Sequence, residues 1–166
     1  ATNQNAWIEV MKETLEQDEY SDMELVATVY GDDISDKSYR EAVGLMNTYP
    51  DLAGIIAPTT VGVAAAAKAI EDEGMVDQVE LTGLGLPSEM QRYVESGVCK
   101  QMALWNPIDL GYTSMYILNA LVEDSDVDSV DASRMGTIEI GSNGDAVMGE
   151  PFVFNADNIA TYAEFF

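Results

Sequence analysis

Amide and hydroxyl groups mark the places in this chain where ligand chemistry could occur. They sit in four short stretches, Tyr30-Gly31-Asp32-Asp33, Pro58-Thr59-Thr60, Leu84-Gly85-Leu86 and Trp105-Asn106, and in the opening Thr2-Asn3-Gln4-Asn5. Such a set can hydrogen-bond a neutral polyol, and a flat indole beside an amide can cover the apolar face of a ring. It suits neither phosphate binding nor acid-base catalysis, which call for cations, glycine-rich loops or paired titratable groups. The chain has no histidine and a single cysteine, Cys99, which excludes histidine bases, Cys/His metal clusters and an internal disulfide. With no nucleophile-base pair and no phosphate loop, an enzyme is not expected, nor is a cofactor or a metal.

Two motif-like stretches carry little weight. Gly83-Leu84-Gly85 lacks the third glycine and the early position of a dinucleotide fingerprint. Asp124-Ser-Asp-Val-Asp128 begins like a calcium loop but has Ser129 where glycine is required and Met135 where the closing glutamate belongs, so it reads as a solvated loop. The candidate ligand residues also have plain structural readings. Trp105 could be core or interface, Asn106 could simply cap a helix, and Asn3 or Thr2 could cap the first helix. Gln4 has no capping role to explain it. Trp7 falls on an apolar helix face, Asp32-Asp33 would cap the next helix, and Cys99 reads as an inert buried thiol.

These stretches must be held by elements that the pattern of the chain predicts. Helix comes first, with Trp7, Val10, Met11, Thr14 and Leu15 at three- and four-residue spacing. A buried strand over Met23–Tyr30 follows, then a helix over Ser35–Thr48 with Tyr39, Ala42, Val43 and Met46 inward. Next come a strand within 51–57, an alanine-rich helix over 61–72, a strand over 79–84, a helix over 88–96 stopped by Gly97, and a strand over 101–105. Asn106-Pro107 then opens a long helix to about Val122, with Asn106 as N-cap, Pro107 at the first position and Asp109 near the positive helix end. Beyond Asp124 the runs 136–141 and 146–154, separated by Ser142-Asn143-Gly144-Asp145, predict a hairpin, and 155–166 a short helical tail.

Strands and helices alternating through short connections predict an α/β fold, a Rossmann-like parallel sheet with helices on both faces. One domain over 1–166 is expected. In such sheets ligands bind beyond the carboxyl ends of the strands, which is where the four turns and the start of the first helix fall. The first element is a helix, however, and the strand that should feed it has no counterpart in the sequence.

Charge narrows the partners. Thirty acidic residues against seven basic ones give a net charge of −23, which repels phosphate backbones and anionic membranes, so nucleic acid is excluded. No apolar run approaches membrane-spanning length, and the residues from Ala1 do not read as a signal peptide, so a soluble chain is expected.

Six segments in order, Ala1–Trp7, Leu25–Asp33, Ile55–Gly62, Leu81–Gly85, Ala103–Pro107 and Pro151–Asn155, resemble the rhamnose-binding proteins of bacterial ABC sugar importers, with autoinducer-2-binding proteins as relatives. The resemblance implies the type I periplasmic-binding-protein fold, two Rossmann-like lobes joined by a hinge that closes on a sugar. This chain is similar to the C-terminal lobe, and the helix over 107–123 would pack on an absent N-terminal lobe. Carried over by position, Asn3 and Gln4 present side chains to the ligand, Pro58 and Thr60 present backbone groups, and Trp105 and Asn106 face the cleft. The autoinducer branch places a carboxylate where Asn3 stands, which points to the sugar branch. Many pentose binders carry an acidic residue where this chain has Gly85, so a different hydroxyl pattern is expected.

The implied function is the extracytoplasmic, non-enzymatic solute-binding component of an importer, with a sugar and a permease as partners. Autoinducer-2-type signal binding and the effector domain of a sugar-sensing transcription regulator are the alternatives. Leu110, Met115, Leu118, Leu121 and Val122 leave one helix face apolar, so self-association of the isolated chain is expected.

Overall fold

A computed structural model describes residues 2–123 and 127–165, so most of the calcium-like Asp124–Asp128 stretch lies outside the described residues. The elements are α1 (Thr2–Leu15), α2 (Ser35–Thr48), β1 (Gly54–Ala57), α3 (Thr60–Asp72), β2 (Glu80–Gly83), α4 (Pro87–Glu95), β3 (Gln101–Leu104), α5 (Pro107–Glu123), β4 (Ser129–Asp131), β5 (Thr137–Glu139), β6 (Phe152–Asn155) and α6 (Ile159–Tyr162). The chain divides into two compact units, residues 1–102 with 154–166 and residues 103–153. It passes from one to the other within β3 and returns within β6, and these two strands pair.

The first unit is built around the alanine-rich helix. Val63, Ala65, Ala66, Ala67, Ala69 and Ile70 of α3 are all buried, because small side chains let the helix lie close to β1, β2 and α2 at once. β1 and β2 run parallel in the register Gly54↔Glu80 to Ala57↔Gly83. Met90, Tyr93 and Val94 of α4, together with Val79, Met102 and Ile159, complete this core. Ala42 and Met46 of α2 are buried as the periodicity predicts.

Several expectations change on folding. Residues 24–30 form no strand, although Met23–Tyr30 has the composition of one; a strand exists through its neighbours, and none lies beside this segment among the described residues. Met23, Leu25, Val26, Val29 and Tyr30 are consequently exposed. In α1 the half-buried positions are Gln4, Trp7, Ile8, Met11, Thr14 and Leu15, so the helical period holds, but Val10 faces outward. Asp32 and Asp33 do not cap α2. Both adopt left-handed backbone, Ile34 takes the N-cap position, and Asp32 instead pairs with Lys37 at 2.5 Å. The turn between 141 and 145 forms as expected, with Gly141 N–H donating to Asp145 O (2.8 Å). The ladder beyond it stops at one bridge, Ile140 to Ala146, and β5 pairs antiparallel with β4 instead.

In the second unit, Val130, Ala132 and Ile138 are buried, and α5 packs on β4. Arg134 lies 4.5 Å from the Tyr112 ring centre and its Nη2 is 2.5 Å from Asp109 Oδ1. That contact is one of charge, since Asp109 Oδ1 is not in hydrogen-bonding alignment, and Thr113 Oγ1, buried one turn further on, has no hydrogen-bond partner among the described residues. The outer face of α5 is apolar and open, with Ile108, Met115, Leu118 and Val122 all more than half exposed. This surface is expected to drive association at high protein concentration, more strongly as salt screens the −23 charge. Light scattering should show the effect, and replacing Met115 and Leu118 by lysine should remove it.

Cys99 is fully buried, as expected, and burial pushes its thiol from the ordinary 9.0 up to about 11. The sign follows from proton counting: between these values the unfolded chain has lost the proton that the folded chain keeps, so this group's contribution falls as pH rises from about 9 to about 11. Urea titrations across that window should show a steeper loss of stability for the parent chain than for Cys99→Ala.

Candidate functional site

Within the first unit, the carboxyl ends of the strands gather most of the expected ligand residues. Pro58-Thr59 makes the turn from β1 into α3, where Thr59 is the N-cap: its Oγ1 accepts from Gly62 N–H (2.8 Å) and its carbonyl from Val63 N–H (2.8 Å). Thr60 is thereby fixed as the first residue of α3, half-buried, with a hydroxyl that has no partner among the described residues. The positive end of the helix dipole adds to the donor character of this turn.

Gln4 reaches the same turn. Its Nε2 donates to Pro58 O at 3.3 Å across 54 residues of sequence, which holds the start of α1 against the end of β1. The structural role missing from the sequence is therefore supplied by tertiary contact, and the Pro58 carbonyl is engaged by the protein itself. Asn3 lies one residue earlier, inside the first turn of α1. It is exposed, and its amide has no partner among the described residues.

Tyr30 joins this edge from the end of the unpaired segment. With Asn5, Ala6, Ile8 and Glu9 it lines an open concavity of about 340 Å³. Sequence reasoning placed both stretches at the ligand edge but did not select Tyr30 or Asn5; the available signal was their position in the turn and in the first helical turn. This edge combines neutral hydrogen-bonding groups with the carboxylates of Glu9, Asp32 and Asp33, of which Glu9 pairs with Lys12 at 2.9 Å and Asp32 with Lys37.

Gly85, in the turn after β2, answers a different question. A Cβ built there would meet Met90 Cγ and Val63 Cγ1 at 2.9 Å and Met102 Sδ at 3.1 Å. A side chain at this position would enter the core, so the lack of an acidic residue here reflects packing and carries no information about how hydroxyls are read.

Trp105 and Asn106 belong to the second unit, at the junction of β3 and α5. Asn106 is an N-cap in full: Oδ1 accepts from Ile108 N–H (2.9 Å) and Asp109 N–H (3.2 Å), and its carbonyl accepts from Leu110 N–H (3.0 Å). The carbonyl end of its side chain is thus committed to the helix, while the amide nitrogen stays available as a donor. Trp105 beside it is 37% exposed.

No helix is long and apolar enough to cross a membrane, and no group of three or more His, Cys, Asp or Glu could hold a metal ion among the described residues.

Comparison with known proteins puts this geometry in context. Residues 1–126 match the periplasmic binding protein domain family. A sugar ABC transporter structure from Actinomyces odontolyticus ATCC 17982 is 45% identical, with a TM-score of 0.87 over 98% of this chain and 54% of its own. An ABC transporter solute-binding protein from Clostridium phytofermentas, solved with bound L-rhamnose, is 37% identical, with a TM-score of 0.87 over all of this chain and 57% of its own. LsrB from Clostridium saccharobutylicum in complex with AI-2 shares the fold, at 20% identity and a TM-score of 0.84. The chain spans about half the length of these relatives.

Proposed function

Because the chain belongs to the periplasmic binding protein domain family, which is non-enzymatic, we propose that it is the sugar-contacting part of an ABC importer's solute receptor. Rhamnose or a similar deoxysugar is the ligand we favour. The observation that carries this reading is the edge made by the start of α1 and the turn into α3, where among the described residues the side chains of Asn3 and Thr60 have no hydrogen-bond partner. The relative solved with L-rhamnose supports it. In this reading Asn3, Thr60 and the Pro58 turn bond sugar hydroxyls, with Gln4 holding that turn in place. Taken by itself, the second unit offers Asn106 as a candidate donor to a hydroxyl and Trp105 as a candidate cover for an apolar ring face.

The receptor would work by hinge closure, with contacts from a second lobe stabilising the closed form over the open one. Its setting would be extracytoplasmic, with a permease as the protein partner. Asn3 in place of a carboxylate favours a sugar over an autoinducer-2-type ligand.

The isolated chain has only part of such a site. A receptor of micromolar affinity holds its ligand by about 8 kcal/mol, and one left with half its contacts keeps about 4 kcal/mol, a millimolar constant. Titration of isotope-labelled chain with L-rhamnose to tens of millimolar should therefore move the amide signals of Asn3, Gln4 and Thr60. Unmoved signals there would overturn the reading, and micromolar binding by calorimetry would overturn the partial-site argument.

A further inference from the structure

Asn143 is the one asparagine of this chain that precedes a glycine. It stands in the exposed turn 141–145 of the second unit, and the sugar-binding reading makes no use of it. Asparagine is a thermolabile residue, and what decides its lifetime is how its carboxamide is held. Gly144, with φ at +83°, has no side chain to keep its nitrogen away from that carboxamide.

Two contacts from Asp145 bear on the same group. Asp145 N–H donates to Asn143 Oδ1 (3.2 Å), which draws electrons from Cγ and faces the oxygen where negative charge collects when a nucleophile adds. Asn143 Nδ2 in turn donates to Asp145 Oδ2 (2.6 Å), so a carboxylate faces the nitrogen that must gain a proton in order to leave. A third bond opposes these two. Gly144 N–H donates to Gly141 O (2.8 Å), so the attacking nitrogen is released only when the turn opens. That opening costs little, because the turn is exposed and the ladder beyond it is one bridge, Ile140 to Ala146.

We propose that this turn is a site of spontaneous covalent modification, in which Asn143 and Gly144 close an imide with Asp145 assisting. The Gly144 nitrogen bonds to Asn143 Cγ, the Cγ–Nδ2 bond breaks, and the proton from Gly144 leaves with Nδ2 as ammonia. Water then opens the cyclic imide at either carbonyl, leaving aspartate or isoaspartate at this position. Both products add one negative charge to a chain already at −23. Isoaspartate also adds a methylene to the main chain, so the bond from Gly141 N–H to Asp145 O (2.8 Å) and the bridge beyond it lose their register.

The test is ageing of the full chain at mildly alkaline pH in heavy-oxygen water, followed by peptide mapping with mass spectrometry. Residue 143 is expected to take up a solvent oxygen ahead of every other asparagine, and to appear as both aspartate and isoaspartate. Gly144→Ala should slow the reaction at least about ten-fold, since a Cβ crowds the attacking nitrogen. Asp145→Ala should slow it about three-fold or more in the folded chain and leave it unchanged in urea, where the contact is lost. Earlier conversion at another asparagine, or aspartate without isoaspartate, would overturn the proposal. So would an unchanged or faster reaction in folded Asp145→Ala.

Discussion

Gly83→Ala is expected to destabilise the first unit by about 3 kcal/mol or more. Gly83 ends β2 opposite Ala57 in the parallel ladder, with φ at +155°. A Cβ there would lie 2.0 Å from Ala57 O and 2.6 Å from its carbonyl carbon. These are backbone atoms, so no side-chain rotation relieves the clash. The chain must part β1 from β2 or abandon the conformation, and Leu84 N–H, which donates to Ala57 O at 3.1 Å, is displaced with it. Since domains of this size are stable by about 5–15 kcal/mol, a large share of the total is at stake. Urea unfolding followed by circular dichroism should show a lower midpoint, and an unchanged midpoint would mean that the close approach is not a feature of the folded chain. The turn into α3, and with it Pro58 and Thr60, follows directly on Ala57, so the response to sugar should weaken as well.

The second large effect is expected at Gly85→Asp. A carboxylate placed among Val63, Met90 and Met102 meets side chains that can yield in part, so overpacking costs about 1–3 kcal/mol. Burying an acidic group with no hydrogen-bond partner adds about 1–3 kcal/mol, more if it stays charged. Gly85→Ala isolates the steric part and should be the milder change. Thermal unfolding should rank the chains as parent, Gly85→Ala, Gly85→Asp, and the gap between the two variants should shrink as pH falls and the carboxyl is protonated. If Gly85→Asp were as stable as the parent, the side chain would have to leave the core, and the position could again be considered for ligand recognition.

The candidate site was only partly legible. Asn106 announced itself, because an Asn-Pro step before an amphipathic run has one economical conformation, and the cap it predicts is the cap observed. Gln4 did not. Its partner lies 54 residues away, and no local rule relates a glutamine in a first helical turn to a proline carbonyl at a strand end. Asp32 and Asp33 misled for a related reason: both are good capping residues, but the left-handed backbone they adopt leaves the N-cap position to Ile34.

The sequence by itself determined the elements and their alternation. Helical periodicity, alanines for close packing, glycine stops and the Asn-Pro start act within a few residues and survive without context, which is why α2, α3 and α5 fall close to where the pattern puts them. The tertiary structure decided what depends on neighbours. Residues 24–30 have the composition of a strand and are not one, since backbone groups on an edge make a strand only when another strand meets them. Likewise the residues after Ser142-Asn143-Gly144-Asp145 form the turn and then leave it, because β5 pairs with β4, and Phe152–Asn155 pairs with β3. Turn geometry is local and readable, whereas the partner of each strand is settled by which edges the folded chain leaves free.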